Sequence, residues 1–359
     1  MADPPPLALP GLLSAREAAA SAASIVAAQR PSGAIPWFPG GHVDPWDHVE
    51  CAMALTAAGA LGPARLAYRF LSSAQRRDGS WPCRLREHTV EDGAAETNQC
   101  AYVAVGVWHY LLATGDERFA AMMWPTVRRA VDFVVSLQTP RGEIPWAVGA
   151  DGRVADGALL TGCSSTFQSL RAAIALSRRL GREQPDWELA AGLLGHALLE
   201  HPEAFMDKAR FSMDWYYPVL GGAVRGDAGR RRLAERWAEF VIPGYGVRCV
   251  ADRPWVTGAE TCELVLALDA LGERARAAAL LADMQHLRER DGSYWTGLVV
   301  ADGVRWPAER STWTAAAVLL AVDALAGLGG GSGIFRGAGL PEAPALAAGA
   351  CACASSARE

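Results

Sequence analysis

The sequence predicts an all-α fold in which six helical hairpins follow one another round a ring. Three observations predict it. Polar clusters open Ala- and Leu-rich stretches six times. With Asp47, Thr97, Ser164, Asp214, Glu260 and Thr312 as marks, the spacings are 50, 67, 50, 46 and 52 residues, the mark of a repeated supersecondary unit. Second, four of the stretches preceding such clusters end on Gln, and a Gly-containing turn then leads to Trp: Gln29 to Trp37, Gln75 to Trp81, Gln138 to Trp146 and Gln285 to Trp295. Gly permits the positive φ of a helix C-cap. Third, segments such as 101–108 and 315–322 are apolar nearly all round. A helix apolar on every side is buried on every side, which favours a closed ring over an open solenoid.

Period-3.6 patterning places twelve helices in order. The first, 13–28, ends at Gln29. Helix 47–60 opens on Trp46-Asp47, and 62–74 carries Leu66 to Leu71 and ends at Gln75. Helix 96–113 opens on Glu96-Thr97-Asn98, and 117–137 ends on the apolar run before Gln138. Helix 164–180 opens on Cys163-Ser164-Ser165 and is followed by 186–200. Helix 214–224 opens on Asp214-Trp215, and 228–241 carries Arg230-Arg231-Arg232, read as a solvated face. Helix 259–271 opens on Ala259-Glu260-Thr261, 273–287 leads to Gln285, and 312–327 opens on Ser311-Thr312-Trp313. Ser, Thr, Asp, Asn and Glu are what N-caps and first turns want. No segment alternates with period two over strand length, so almost no sheet is expected. The fold class is an (α/α)6 toroid, with six inner-helix N-termini at one polar, aromatic and acidic mouth.

The expected organisation is a flexible stretch at 1–11, a single catalytic ring over 12–336, and a disordered Gly-, Ala- and Pro-rich tail at 337–359. A net charge of −5 and a pI near 5.9 argue against a nucleic-acid partner. No 18-residue uncharged apolar helix is present, so no membrane partner is expected. The N-terminus lacks a basic start and apolar run. Cys51, Cys100, Cys163 and Cys262 sit within helical patterns as small core residues, which fits a reducing compartment and a cytoplasmic location. His42 and His48 match no zinc spacing. There is no Gly-x-Ser-x-Gly, P-loop or dinucleotide fingerprint. No cofactor is expected.

The acids at inner-helix starts carry the chemistry: Asp44, Asp47, Glu50, Glu96, Asp214, Glu260 and Glu263. One such acid alone compensates a helix dipole. Several round one mouth provide what glycoside hydrolysis needs, one carboxyl to protonate the leaving oxygen and another to activate water or attack. Apolar neighbours such as Trp46 and Trp255 raise a carboxyl pKa toward neutrality. Asp47 and Glu260 are the favoured pair, because both lie in Trp-rich segments too elaborate for ordinary loops, and Asp214 is the third candidate. Trp46, Trp215, Trp255 and Trp313 are candidate sugar platforms. His48, Asn98, Gln99, Tyr216 and Arg253 complete the candidate substrate-binding set with the remaining acids.

Two resemblances follow from these residues. Phe70-Leu71 leading to Gln75-Arg-Arg-Asp-Gly-Ser-Trp81 resembles the repeat of terpenoid cyclase and prenyltransferase toroids. The Asp-x-Asp-Asp and Asp-Asp-x-x-Asp motifs of those enzymes are missing. Thr114 to Phe119 with Met123 to Phe133 is similar to a hairpin of glucoamylase-like (α/α)6 glycoside hydrolases. More specifically, 12–336 resembles the actinobacterial methylmannose polysaccharide hydrolases, which are endo-acting α-mannosidases. Residues Gly33 to Glu50, Thr161 to Ser165, Asp214 to Pro218 and Trp255 to Glu263 carry that match. The resemblance implies hydrolysis of internal α-1,4 bonds in a partly O-methylated mannan, with acid and base at Asp47 and Glu260. Inversion at the anomeric carbon is expected, and a separation of those carboxyls of roughly 6.5–9.5 Å, against about 5–5.5 Å for retention, tells the two outcomes apart. The competing readings are a terpenoid cyclase or prenyltransferase-like enzyme and a non-catalytic glycan-binding toroid.

Overall fold

The computed structural model describes residues 6–86 and 89–343. Six inner helical segments form a closed ring: α2 (Pro45–Ala57), α4 with α5 (Thr97–Ala101 and Val103–Thr114), α7 (Leu160–Arg179), α9 (Ser212–Leu220), α12 (Gly258–Ala270) and α14 (Thr312–Ala326). Each packs on the next, and α14 packs back on α2. The outer set is α1 (Ala15–Ala28), α3 (Leu61–Ala74), α6 (Glu117–Val135), α8 (Pro185–Glu200), α10 with α11 (Gly226–Glu235 and Trp237–Phe240) and α13 (Arg274–Asp283). Each leans on one inner helix, and α1 leans on α14. The expected (α/α)6 toroid is therefore the fold. The inner helices are buried on all sides; in α14 every residue from Thr312 to Leu325 is buried, as its apolar circumference requires.

The Gln–Gly–Trp turn is the joint between neighbouring outer helices. Gln75 Nε2 donates to the carbonyls of Gly79 and of Thr126 on the next outer helix, both at 2.9 Å. Gln29 and Gln138 do the same to Gly33 and Pro63, and to Gly142 and Ala190. The glycine lies flat against that helix. At Gly79 (φ +96°) a Cβ would sit 2.1 Å from the Arg129 carbonyl oxygen. In the last repeat Gly292 takes this place against Ala20 of α1, and Arg288 bonds Glu17 at 2.5 Å. A variant of the joint thus closes the ring, with the glycine contact kept while Gln285 Nε2 donates to the Leu281 carbonyl of α13.

The sequence reading missed a sheet. Strands β5 (Val241–Ile242), β6 (Gly246–Arg248), β7 (Trp255–Thr257), β8 (Gly297–Val299) and β9 (Val304–Arg305) pair antiparallel in that order. Two smaller pairs, β1 (Arg84–Arg86) with β2 (Thr89–Asp92) and β3 (Ala95–Glu96) with β4 (Ala147–Val148), brace other mouth loops. Strands of two to four residues are too short for a two-residue period to register. The chain margins also differ from expectation. Leu7, inside the stretch expected to be flexible, is buried. Residues 334–340 pack beneath the ring, with Ile334 and Phe335 buried and Arg336 paired with Asp269. The rest of the expected tail, 344–359 with Cys351 and Cys353, lies outside the described residues, as do 1–5.

Candidate active site

A cavity of about 330 Å³ opens at the mouth where the inner helices begin. The second residue of five inner helices lines it: Trp46, Asn98, Thr161, Met213 and Trp313. The third residue of three also lines it: Asp47, Gln99 and Gly162. First-turn side chains at these positions point into the mouth because the helices converge there in the same direction. Asp44 N-caps α2, its Oδ1 accepting from the Asp47 amide at 2.9 Å. Its Oδ2 is buried with no hydrogen-bond partner among the described residues, as is Gln99 Oε1. Both residues line the cavity. Of the sequence-predicted residues, the structure brings Asp44, Trp46, Asp47, Glu96, Asn98, Gln99 and Trp313 together.

Burial favours the protonated form of two carboxyls of this cavity, Asp47 and Glu96. Burial pushes Asp47 well above the usual carboxylate range, and the nearby Asp44, Glu50 and Glu263 push the same way. Burial also raises Glu96, whose Oε1 accepts from the Cys83 thiol at 3.1 Å. Burial lowers the His42 imidazole, with Asp44 opposing.

The walls are aromatic and are held from behind by acids. Trp46 stacks on Tyr102 with centroids 3.8 Å apart. Trp313 packs against Trp37 at 5.5 Å. Glu50 is buried behind both walls and accepts from Tyr102 Oη at 3.0 Å and Trp313 Nε1 at 2.7 Å. Glu263 accepts from the hydroxyls of Tyr216 and Tyr217. Glu50 and Glu263 thus stand behind the cavity surface, and Tyr216 is wholly buried with them.

Other candidates lie elsewhere. Glu260 does not line the cavity. It is 6% exposed at the third position of α12, one turn before Glu263, with the Cys249 thiol beside it. Burial raises its carboxyl, while hydrogen bonds to it oppose that rise. Asp214 faces a separate small recess with Trp215 and Arg232, though its Oδ1 accepts from Thr161 at 3.1 Å. Trp215 is a core residue stacked on Phe240 at 5.2 Å, with its Nε1 donating to the Arg232 carbonyl. His48 is a structural bridge: Nδ1 accepts from the Ile35 amide and Nε2 donates to the Ala67 carbonyl. Arg253 and Trp255 line a recess on the sheet, away from the cavity.

Sequence reasoning missed Cys83, Arg84, Leu159 and Met213 as cavity residues. Met213 was legible as the neighbour of Asp214 at a helix start. Cys83 and Arg84 reach the site through the β1–β2 hairpin and left no signal in the helical repeat. Among the described residues, no group of three or more His, Cys, Asp or Glu is placed to hold a metal ion.

No protein-family profile matches the chain. Over 350 residues it is 59% identical to the MMP endo-(1,4)-3-O-methyl-α-D-mannosidase of Mycolicibacterium hassiacum, covering 98% of this chain and 97% of that protein. Among solved structures, a glycosidase in complex with glucose superposes with a TM-score of 0.69 at 17% identity, over 87% of this chain and 96% of that one. A D-mannose isomerase superposes with a TM-score of 0.65 at 11% identity, over 86% and 96% of the two chains. At these identities the structural likeness is one of fold, and that fold serves both hydrolysis and isomerisation.

Proposed function

This chain belongs to the methylmannose polysaccharide endo-α-mannosidase family of glycoside hydrolases, and on that premise we propose that it cleaves internal α-1,4 bonds of a 3-O-methylated mannan with Asp47 as general acid and Glu260 as general base. The observation that carries the reading is the Asp47 carboxyl, which lines an aromatic cavity and is pushed well above its ordinary range by burial. A proton held near neutrality is what a leaving glycosidic oxygen needs.

Glu260 occupies on α12 the position that Asp47 occupies on α2, third from the helix start. Its neighbour on the same face, Glu263, bonds Tyr217, which lines the cavity. The face that Glu260 shares with Glu263 is what supports it as the partner carboxyl from α12. In the reaction Asp47 gives its proton to the glycosidic oxygen as the C1–O bond breaks. A water attacks C1 from the opposite face and passes a proton to Glu260. Asp47 ends ionised and Glu260 protonated, and exchange with solvent resets both. Helix α14 stands between α2 and α12 in the ring. Inversion requires the two carboxyls to stand roughly 6.5–9.5 Å apart, with room for the water between them. Trp46 and Trp313 supply faces for sugar C–H bonds. Asn98 and Gln99, which line the cavity, supply amide groups for hydroxyls. Glu96 is the competing partner for Asp47, because it lines the same cavity.

No helix among the described residues is long and apolar enough to cross a membrane. Six cysteines of the described chain are free thiols, and with the acidic pI they support a cytoplasmic enzyme whose partner is the polysaccharide rather than nucleic acid or membrane.

The test is turnover of Asp47→Asn, Glu260→Gln and Glu96→Gln on 3-O-methylmannan, with product sizes followed by mass spectrometry. The first two are expected to lose at least about a hundredfold in kcat with unchanged thermal unfolding, and the wild type to release oligosaccharides before monosaccharide. An Asp47→Asn enzyme retaining more than about a tenth of activity overturns its role. A large loss in Glu96→Gln with Glu260→Gln unaffected moves the base to Glu96. Binding without cleavage by the wild type points to an inert glycan-binding toroid. Turnover of a polyprenyl diphosphate alone points to the prenyltransferase-like reading.

A further inference from the structure

A second recess lies on the five-stranded sheet and shares no lining residue with the central cavity. It measures about 410 Å³ and is formed by Val250, Arg253, Pro254, Trp255, Val299 and Trp306. Trp306 is 52% exposed. It meets Trp255 edge to face, with ring centroids 4.7 Å apart and planes at 80°, and its carbonyl accepts from Trp255 Nε1 at 2.8 Å. Gly297 makes the seat possible, since a Cβ there would lie 2.5 Å from Trp255 Nε1. The two indoles are therefore held in place, and one keeps about half its surface in water.

We propose that this recess is a non-catalytic binding platform for a segment of the O-methylated mannan chain. The proposal rests on the substrate read for the central site. Size selects the occupant. A recess of about 410 Å³, formed by six residues, falls in the range of small-ligand pockets. Chemistry narrows it further. Five of the six lining residues are apolar and Arg253 is the only charged one, a poor match for a fully hydroxylated glycan and a good match for methyl ethers and sugar C–H faces. Continuity supplies the third argument. β7 begins at Trp255 and ends at Thr257, and α12 starts at the next residue with Glu260 third along it. Three strand residues span about 10 Å. Trp255 thus lies within about that distance of the start of the helix carrying the proposed base, and a chain leaving the cleft on that side would pass it.

The test compares wild type, Trp306→Ala and Trp306→Phe on long 3-O-methylmannan and on the shortest fragment the wild type cleaves. Trp306 is exposed, so folding should be unaffected, and thermal unfolding checks this. Trp306→Ala is expected to raise KM for the polymer by about three- to tenfold, the range of an aromatic contact. Its kcat on the polymer and kcat/KM on the fragment should stay unchanged, and Trp306→Phe should restore most of the loss. Equal kinetics of Trp306→Ala and wild type on both substrates overturn the platform while leaving the hydrolase reading intact. A wild type that cleaves neither substrate overturns the hydrolase reading. Retardation in gels containing the polymer then decides the platform, since equal retardation of wild type and Trp306→Ala overturns it. A Trp306-dependent dimer in sedimentation velocity, without a change in glycan retardation, assigns the patch to a second copy of the chain and overturns the proposal.

Discussion

Glu50 shows how a single buried acid can set the shape of a binding surface without touching the substrate. It holds Trp313 directly, and it holds Trp46 through Tyr102. Burial pushes its carboxyl up to about 7, from an ordinary value of 4.5. Between these values the folded protein keeps a proton that the unfolded chain has released. The stability linked to Glu50 is therefore fully present below about pH 4.5 and is lost as pH rises to about 7. Glu50→Gln cannot titrate and gives up one acceptor for two donors. Its Tm should lie below wild type at pH 5, and the difference should shrink as pH rises to 8. Circular dichroism melts across that range test this; parallel pH profiles would show that Glu50 does not titrate there. Single residues also show where sequence reading stops. Trp215 adjoins Asp214 and reads as a cleft wall. One residue further along a helix turns a side chain by about 100°, and Trp215 faces Phe240 in the core instead.

At the scale of elements, the Gln–Gly–Trp turn and the first turn of each inner helix carry most of the design. The turn's glycine has two constraints, a positive φ and a carbonyl pressed against it. Gly79→Ala meets both and is expected to destabilise by more than about 3 kcal/mol. Gly59 has φ +79° and nothing within 4 Å of a Cβ, so Gly59→Ala should cost only about 1 kcal/mol. Urea unfolding of the two variants separates backbone strain from steric collision; equal costs would mean that the joint yields. Helix starts were legible because N-cap chemistry is local. The pairing of β7 with β8 was not, because Trp255 and Val299 lie far apart in the chain and each strand has three residues.

For the whole molecule, closure matters more than any one contact. α1 is the first helix of the chain, yet it covers α14 and receives Gly292. Deleting residues 1–28 is therefore expected to abolish the cooperative thermal transition. Arg288→Ala removes only the partly exposed pair with Glu17 and should cost less than about 1 kcal/mol. Calorimetry of both proteins tests this. A truncated chain that still melts cooperatively near the wild-type Tm would show that the remaining helices close without α1.

Periodicity and local chemistry, which a sequence displays directly, determined six hairpins, the places where inner helices begin, the Gln–Gly–Trp joints and the gathering of acids at one mouth. Tertiary structure decided which of those acids meet a cavity. Asp44, Asp47 and Glu96 line it, Glu50 and Glu263 hold its walls from behind, Glu260 is not among its lining residues, and Asp214 lines a separate recess. The physical reason is one of phase and distance. A side chain's direction follows from its helix's rotation about its own axis, and that rotation is set by packing against neighbours about 50 residues away in sequence and 8–10 Å away in space.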